Sequence, residues 1–322
     1  MRNLRTARTD ELATTAAEKI ELLQAAVERV IRGKPEAVRL AIVTLLAGGH
    51  LLIEDVPGIG KTILARSLAQ SIKGEFKRLQ CTPDLLPSDV TGVSIFDQRT
   101  HGFEFVPGPV FTNVLLADEI NRAPPRAQSA LLECMAEQQV TVDGRTRRLP
   151  PVFMVIATQN PLEFQGTYPL PEAQLDRFFM RIRIGYPDAE SEMKMIRSQE
   201  HGHPLDKLEP VIGLDELAAL QRAVEDVRVS DDVATYALSL VQATRNHPGL
   251  ALGASPRATL ALLRAAQAFA LVLGGGFITP QHVKNVSRQV LSHRIIPRSG
   301  ASSAQTAEAI VGEVVASTRV PA

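Results

Sequence analysis

The sequence predicts an α/β domain followed by a small all-α domain. Three observations carry this. The apolar runs LLI (51–53), VLLA (114–117) and VFMVIA (152–157) are short enough for buried strands. Each ends in a glycine-rich, acidic or amide-bearing stretch, where open α/β sheets hold their ligands. Beyond about residue 187 strand signals stop and helical periodicity with capping residues takes over. The boundary is therefore drawn between 1–187 and 188–322, and 322 residues suit about two domains.

The elements follow in order. Residues 10–32 read as an amphipathic helix with Ile20, Leu23, Val27 and Val30 on one face. Gly33 ends it, and Pro35 opens a second helix that runs through Leu46. The strand at 51–53 then enters EDVPGIGKT, and Ile63, Leu64, Ser67 and Leu68 recur at helical spacing. A strand, a glycine loop and a helix start make an anion site, because free N–H groups and the positive dipole end point at the ligand. Pro57, Gly58, Ile59 and Gly60 would curl around phosphate oxygens, Lys61 would neutralise the outer phosphates, and Thr62 and Ile63 open the helix. The Thr62 hydroxyl suits Mg²⁺. Asp55 stands where the usual G-x-x-x-x-G-K-[ST] pattern has its first glycine, so a plain turn ending in Gly-Lys-Thr is the competing reading.

VLLADE delivers two carboxylates at a strand end. Asp118 would hold Mg²⁺, directly or through water, and Glu119 would polarise the attacking water. ATQNP places Asn160 at the end of the next strand, where an amide can orient water against a γ-phosphate; Asn-Pro also opens ordinary turns. In LPEAQLDRFFMRIRI, Arg177 could serve a neighbouring subunit's phosphate, with Arg181 and Arg183 as rivals. Its bland alternative is a pair with Asp176 or a nearby acid.

The span 73–113 holds a strand at FKRLQC and a hairpin turning at Thr100–Gly102. VTVDGRTRR (140–148) is a second hairpin around Asp-Gly, which by sequence alone reads as a solvated basic turn. In the helical part, Ser230, Ser255 and Thr279 stand at helix starts. Arg257 lies in a first turn, where the dipole disfavours a cation, and a ligand phosphate would offset that cost.

In that order, VPGIGKT, LLADEINRAPPRAQSALLECMAEQQVTVDG, ATQNP, LPEAQLDRF and GASPRA resemble the MoxR-type AAA+ ATPases, over about residues 25–310. The resemblance implies a three-layer αβα domain with a five-stranded parallel sheet and a helical lid. It implies ATP rather than GTP, hydrolysis with Mg²⁺, a homo-oligomeric and hexameric ring, and remodelling of protein clients. It also implies that VIRGKPEAV receives adenine beside Ile31 and Gly33, that Arg257 is a γ-phosphate sensor in the lid, and that the 140–148 hairpin points to the ring pore, where Arg145, Arg147 and Arg148 would touch a threaded or docked partner. A helix cap in a core remains the other reading of Ile31 and Gly33.

Composition bounds the rest. Lysine plus arginine number 35, as do aspartate plus glutamate, so no global charge draws nucleic acid or anionic membrane. No apolar run approaches the ~20 residues of a membrane helix. The N-terminus has no apolar core to read as a secretory signal. Cys81 and Cys134 make no CxxC, which fits a reduced, cytoplasmic setting. His201-Gly-His203 reads as an exposed linker rather than a metal site. A nucleic-acid motor and a nucleotide-gated regulator with negligible turnover are the alternatives. Neutral charge and the lack of an aromatic stacking platform oppose the first, and Glu119 opposes the second.

Overall fold

The computed structural model describes residues 2–161, 166–199, 202–298 and 304–320. Helix α1 (Arg2–Val30) begins eight residues before the helix expected at 10–32 and ends at Val30, and the turn that follows it holds Gly33 at a left-handed φ of +70°. A Cβ there would also collide with the Ser191 side chain, so conformation and crowding both require glycine. Helix α2 (Pro35–Leu46) follows, with proline in its first turn.

Next come β1 (Leu51–Glu54), α3 (Lys61–Ser71), β2 (Phe76–Gln80), α4 (Pro87–Thr91), β3 (Gly92–Asp97) and β4 (Gly102–Pro107). Then follow β5 (Val114–Asp118), α5 (Pro125–Glu137), β6 (Gln139–Val142), β7 (Arg145–Arg148), β8 (Met154–Gln159), α6 (Glu172–Leu175) and β9 (Met180–Ile182). Five of these strands form a parallel sheet in the order β2-β5-β8-β1-β9. The chain leaves β1 for the β2 edge and later fills β5 and β8 between them. The crevice that such a reversal opens lies at the carboxyl ends of β1 and β8.

The period-2 alternation of the strands sorts the core into two layers. Leu51, Ile53, Val114, Leu116, Met154 and Ile156 face α1, α2, α3 and the C-terminal helices. Leu52, Leu115, Ala117, Val155 and Ala157 face the α5 side. Burial on both faces explains why these strands read as continuous apolar runs.

The C-terminal part contains α7 (Ala189–Gln199), α8 (Leu214–Asp226), α9 (Asp231–Arg245), β10 (Leu250–Leu252), α10 (Pro256–Val272), α11 (Pro280–Leu291), β11 (Ile296–Pro297) and α12 (Ala304–Ser317). Ser230 and Thr279 cap their helices by accepting N–H bonds from Val233 and His282, each worth about 1 kcal/mol in typical cases. Ser255 makes no such bond; its hydroxyl contacts Asp176 Oδ2 at 3.5 Å. The β10–β11 pair departs from an all-helical reading of this part, because strands of three and two residues carry no readable alternation. Helix α7 was also not legible: its Met193 and Ile196 face outward. His201 lies outside the described residues, and His203 accepts the Leu205 N–H to open a short 3₁₀ turn.

Both predicted hairpins form. β6 and β7 pair with Val142 opposite Arg145, and Asp143 and Gly144 take φ of 53° and 70°. Two successive positive φ values are the turn that matches strand twist. β3 and β4 pair across Asp97 and Gly102. Arg147 stacks on Phe105 of β4 at 3.8 Å, so this basic residue joins the two hairpins. Arg145 and Arg148 remain exposed.

Candidate active site

The loop between β1 and α3 runs over 55–60. Gly58 and Gly60 have φ of 84° and 94°, and among the described residues, chain neighbours aside, no atom stands within 4 Å of a Cβ built on either. The left-handed backbone, not crowding, is what selects glycine there. Pro57 and Gly58 are exposed, whereas Ile59, Gly60, Lys61, Thr62 and Ile63 are half-buried. Lys61 Nζ folds back to the Asp55 carbonyl at 2.6 Å. Burial pushes its pKa below the usual lysine value, against the pull of Asp55, Asp118 and Glu119.

Asp55 has its own task. Its Oδ2 accepts the N–H groups of Ile184 and Gly185 at 2.8 and 2.7 Å, and its Oδ1 accepts that of Val56. Its own N–H donates to the Gln159 carbonyl. Asp55 thus ties the loop to the exit of β9 and the end of β8. It is not among the residues with positive φ, so the backbone here does not demand the glycine of the usual pattern.

The two acids sit at the end of β5. Thr158, fully buried on β8, donates its hydroxyl to Asp118 Oδ1 at 2.6 Å and accepts the Glu119 N–H at 2.8 Å. One hydroxyl therefore fixes both residues. Glu119 is held in the left-handed region, φ 57° and ψ 52°, an uncommon conformation for a non-glycine residue. Its Oε2 lies 3.2 Å from Arg122 Nη1 and 3.5 Å from Gln80 Nε2. Asp118 Oδ2 accepts from Arg78 Nη2 at 2.6 Å. Asn160 is half-buried just past β8, next to the loop-anchoring Gln159.

The arginines divide into two sets. Arg177 is exposed after α6, and its Nη1 donates to the Leu132 carbonyl of α5 at 2.7 Å. The alternative pairing with Asp176 does not form: Asp176 binds Arg294 at 2.7 Å. Arg181 and Arg183 lie within 4 Å of both Glu54 and Glu308, and Arg181 is 10% exposed. Arg257 is exposed in the first turn of α10, and its side chain bonds no described residue. The Ser255–Asp176 contact brings that turn beside Arg177.

Ile31 is buried in the core and Gly33 packs on Ser191; both suit a helix end, and Gly33 also lines a cavity of about 420 Å³ with Lys34 and Arg183. Thr158, Arg78 and Gln80 were not singled out from sequence. Their one signal is polar residues at strand ends, Arg78 and Gln80 alternating on β2, and its meaning depends on which strands are neighbours.

A model of the ATPase family associated with various cellular activities (AAA) matches residues 50–180, and an AAA lid domain model matches 242–314. The chain is 50% identical to an uncharacterized protein, YeaC, of Bacillus subtilis, over 92% of each chain. It is 43% identical to Chaperone MoxR1 of Mycobacterium tuberculosis, covering 84% of this chain and 74% of that one. A provisionally assigned ATPase from Cytophaga hutchinsonii, solved by crystallography, superposes over the whole of both chains with a TM-score of 0.89 and 35% identity. With its five-stranded parallel sheet, its glycine loop and its acid pair in that setting, the chain belongs to the MoxR-type AAA+ ATPases.

Proposed function

We propose that this chain binds ATP at the 55–63 loop and hydrolyses it to ADP and phosphate. The observation that carries the reading is the Thr158-anchored acid pair, Asp118 and Glu119, close enough to act on the Lys61 charge. Lys61 would leave the Asp55 carbonyl to neutralise the outer phosphates. The backbone N–H groups of Gly58 to Thr62 would cradle them. Asp118 and the Thr62 hydroxyl offer oxygen donors, the chemistry that Mg²⁺ selects, and the Asp118 carboxylate faces outward enough to be reached, at 15% exposure. Bound there, Mg²⁺ would neutralise phosphate charge. Glu119 orients water and takes its proton, and Asn160 steadies the same water. Glu119 must first turn away from Arg122, which holds its Oε2. The domain boundary falls at 187/188 on this reading. Ile31 and Gly33 lie on the adenine side.

Arg257, with Asn160, senses the γ-phosphate, and Arg177 acts on a neighbour's phosphate in a homo-oligomeric ring, hexameric by family likeness. Arg177 is exposed and meets no carboxylate among the described residues, which supports the trans-acting role. Arg181 and Arg183, already engaged by Glu54 and Glu308, are poorer fingers. The named chaperone among the relatives supports remodelling of protein clients, with Arg145 and Arg148 of the hairpin as contacts. No described helix is long and apolar enough to cross a membrane. Buried, unpaired Cys81 and Cys134 suit a reducing cytoplasm. The test is calorimetry with ATP: Lys61→Ala should abolish binding, and an unchanged dissociation constant would remove the loop assignment.

A further inference from the structure

The strand β2 carries a cation where the reaction needs an anion free. Arg78 Nη2 lies 2.6 Å from Asp118 Oδ2, and the same nitrogen donates to Gln80 Oε1 at 2.8 Å. The Gln80 amide is thereby turned so that its Nε2 faces Glu119 Oε2 at 3.5 Å. Arg78 is half-exposed, while Asp118 is mostly buried. The carboxylate is fixed on its other oxygen by Thr158, which cannot move without disturbing the Glu119 backbone. The arginine is therefore the mobile member of the pair, and Oδ2 is the oxygen it covers.

We propose that Arg78 is a built-in counter-cation for Asp118, displaced when a divalent ion arrives with the nucleotide. The inference rests on the reading of Asp118 as a metal-binding residue. A divalent ion on Asp118 and a guanidinium 2.6 Å from the same oxygen repel each other, so metal entry competes with the Arg78–Asp118 pair. The pair keeps an acidic, partly buried group compensated in the resting chain, and it weakens metal binding by the free energy needed to break it. Release of Arg78 also frees Gln80 Oε1, and with it the amide that faces Glu119. Occupation of Asp118 is in this way communicated to the residue that orients water. Arg78 is a positioning residue: its contacts are Asp118 and Gln80, and it acts through them.

The experiment measures affinity, not turnover. A non-hydrolysable ATP analogue is titrated by calorimetry into wild type, Arg78→Gln, Arg78→Lys and Asp118→Asn, each with Mg²⁺ and with EDTA. The quantity read is the gain in affinity that Mg²⁺ confers. Removing a half-exposed competing ion pair should raise that gain about threefold or more in Arg78→Gln. Arg78→Lys retains the charge and should stay within about twofold of wild type. Asp118→Asn should lose most of the gain. An unchanged or smaller gain in Arg78→Gln, with Asp118→Asn behaving as expected, would overturn the role of Arg78 alone. A full Mg²⁺ gain in Asp118→Asn, or no binding of the analogue to wild type, would overturn the underlying site assignment and the proposal with it. A purely structural Arg78 would shift binding equally with Mg²⁺ and EDTA, which also contradicts the proposal.

Discussion

The loop-and-acid edge of the sheet and the Arg177–Arg257 face differ in how their charges are balanced. At the first, every charged group is answered from within the chain. Lys61 rests on a carbonyl, Asp118 on Thr158 and Arg78, Glu119 on Arg122. At the second, Arg257 bonds no described side chain, and Arg177 has a carbonyl but no carboxylate among the described residues. By contrast, Arg181 and Arg183 pair with Glu54 and Glu308, and Arg294 with Asp176. The difference teaches that Arg177 and Arg257 keep exposed guanidinium groups with no carboxylate partner among the described residues, a partner that a phosphate supplied by another chain would provide.

The largest effect separates the two regions by chemistry. Glu119→Gln should keep ATP bound and cut single-turnover hydrolysis by about 10²-fold or more, because the amide cannot take a proton from water. Hydrolysis at the wild-type rate would move the role to Glu133 or Glu137. Both of these line the cavity beside Arg177, on the other region, so that result would break the comparison.

The next effect tests the joint between them. His50 accepts the Val155 N–H of β8 at Nδ1 and meets the Met135 carbonyl of α5 at 3.1 Å, and α5 also supports Arg177. Burial lowers its pKa to about 4. The folded chain keeps His50 neutral while the unfolded chain protonates it near pH 6.5. Its contribution is therefore present above about 6.5 and lost as pH falls toward 4, by up to ~3 kcal/mol. His293, buried against the Phe178 carbonyl, shifts in the same direction. Chemical denaturation across this range should show the loss, and His50→Gln should flatten part of it. An equal slope in the variant would assign the acid sensitivity to other groups.

A smaller effect sharpens the account of the loop. Asp55→Gly would restore the usual phosphate-loop pattern, yet should destabilise the chain by ~2 kcal/mol, because the Ile184 and Gly185 N–H groups lose a charged acceptor. A more stable variant, measured by denaturant titration, would mean that Asp55 does not anchor the loop.

Much of this was legible in the sequence. The strands at 51–53, 114–117 and 152–157 announced themselves because burial on both faces leaves no polar alternation. The Asp-Gly hairpin and the Gly33–Pro35 break followed from backbone chemistry alone. Asp55 as an anchor was not legible, since its partners Ile184 and Gly185 lie far along the chain. Nor was Thr158: a threonine at a strand end gains meaning only once β8 is known to lie beside β5. Arg177 was read with Asp176 as its bland partner, and that pair was lost to Arg294, 118 residues from Asp176. Local sequence shows what a residue can do, and strand order determines which partner it meets.

The central claim is that each active site is shared between two chains, and mixing tests it most directly. Arg177→Ala should reduce ATP hydrolysis by ~10³-fold, the scale of a trans-acting arginine on developing phosphate charge. Lys61→Ala should be inactive through lost binding. Combined in one ring, with subunit exchange confirmed by labelled chains, some interfaces pair an intact Lys61 loop with an intact Arg177, and hydrolysis should return with the mixing ratio. No recovery at any ratio would contradict the shared site and confine Arg177 to its own chain.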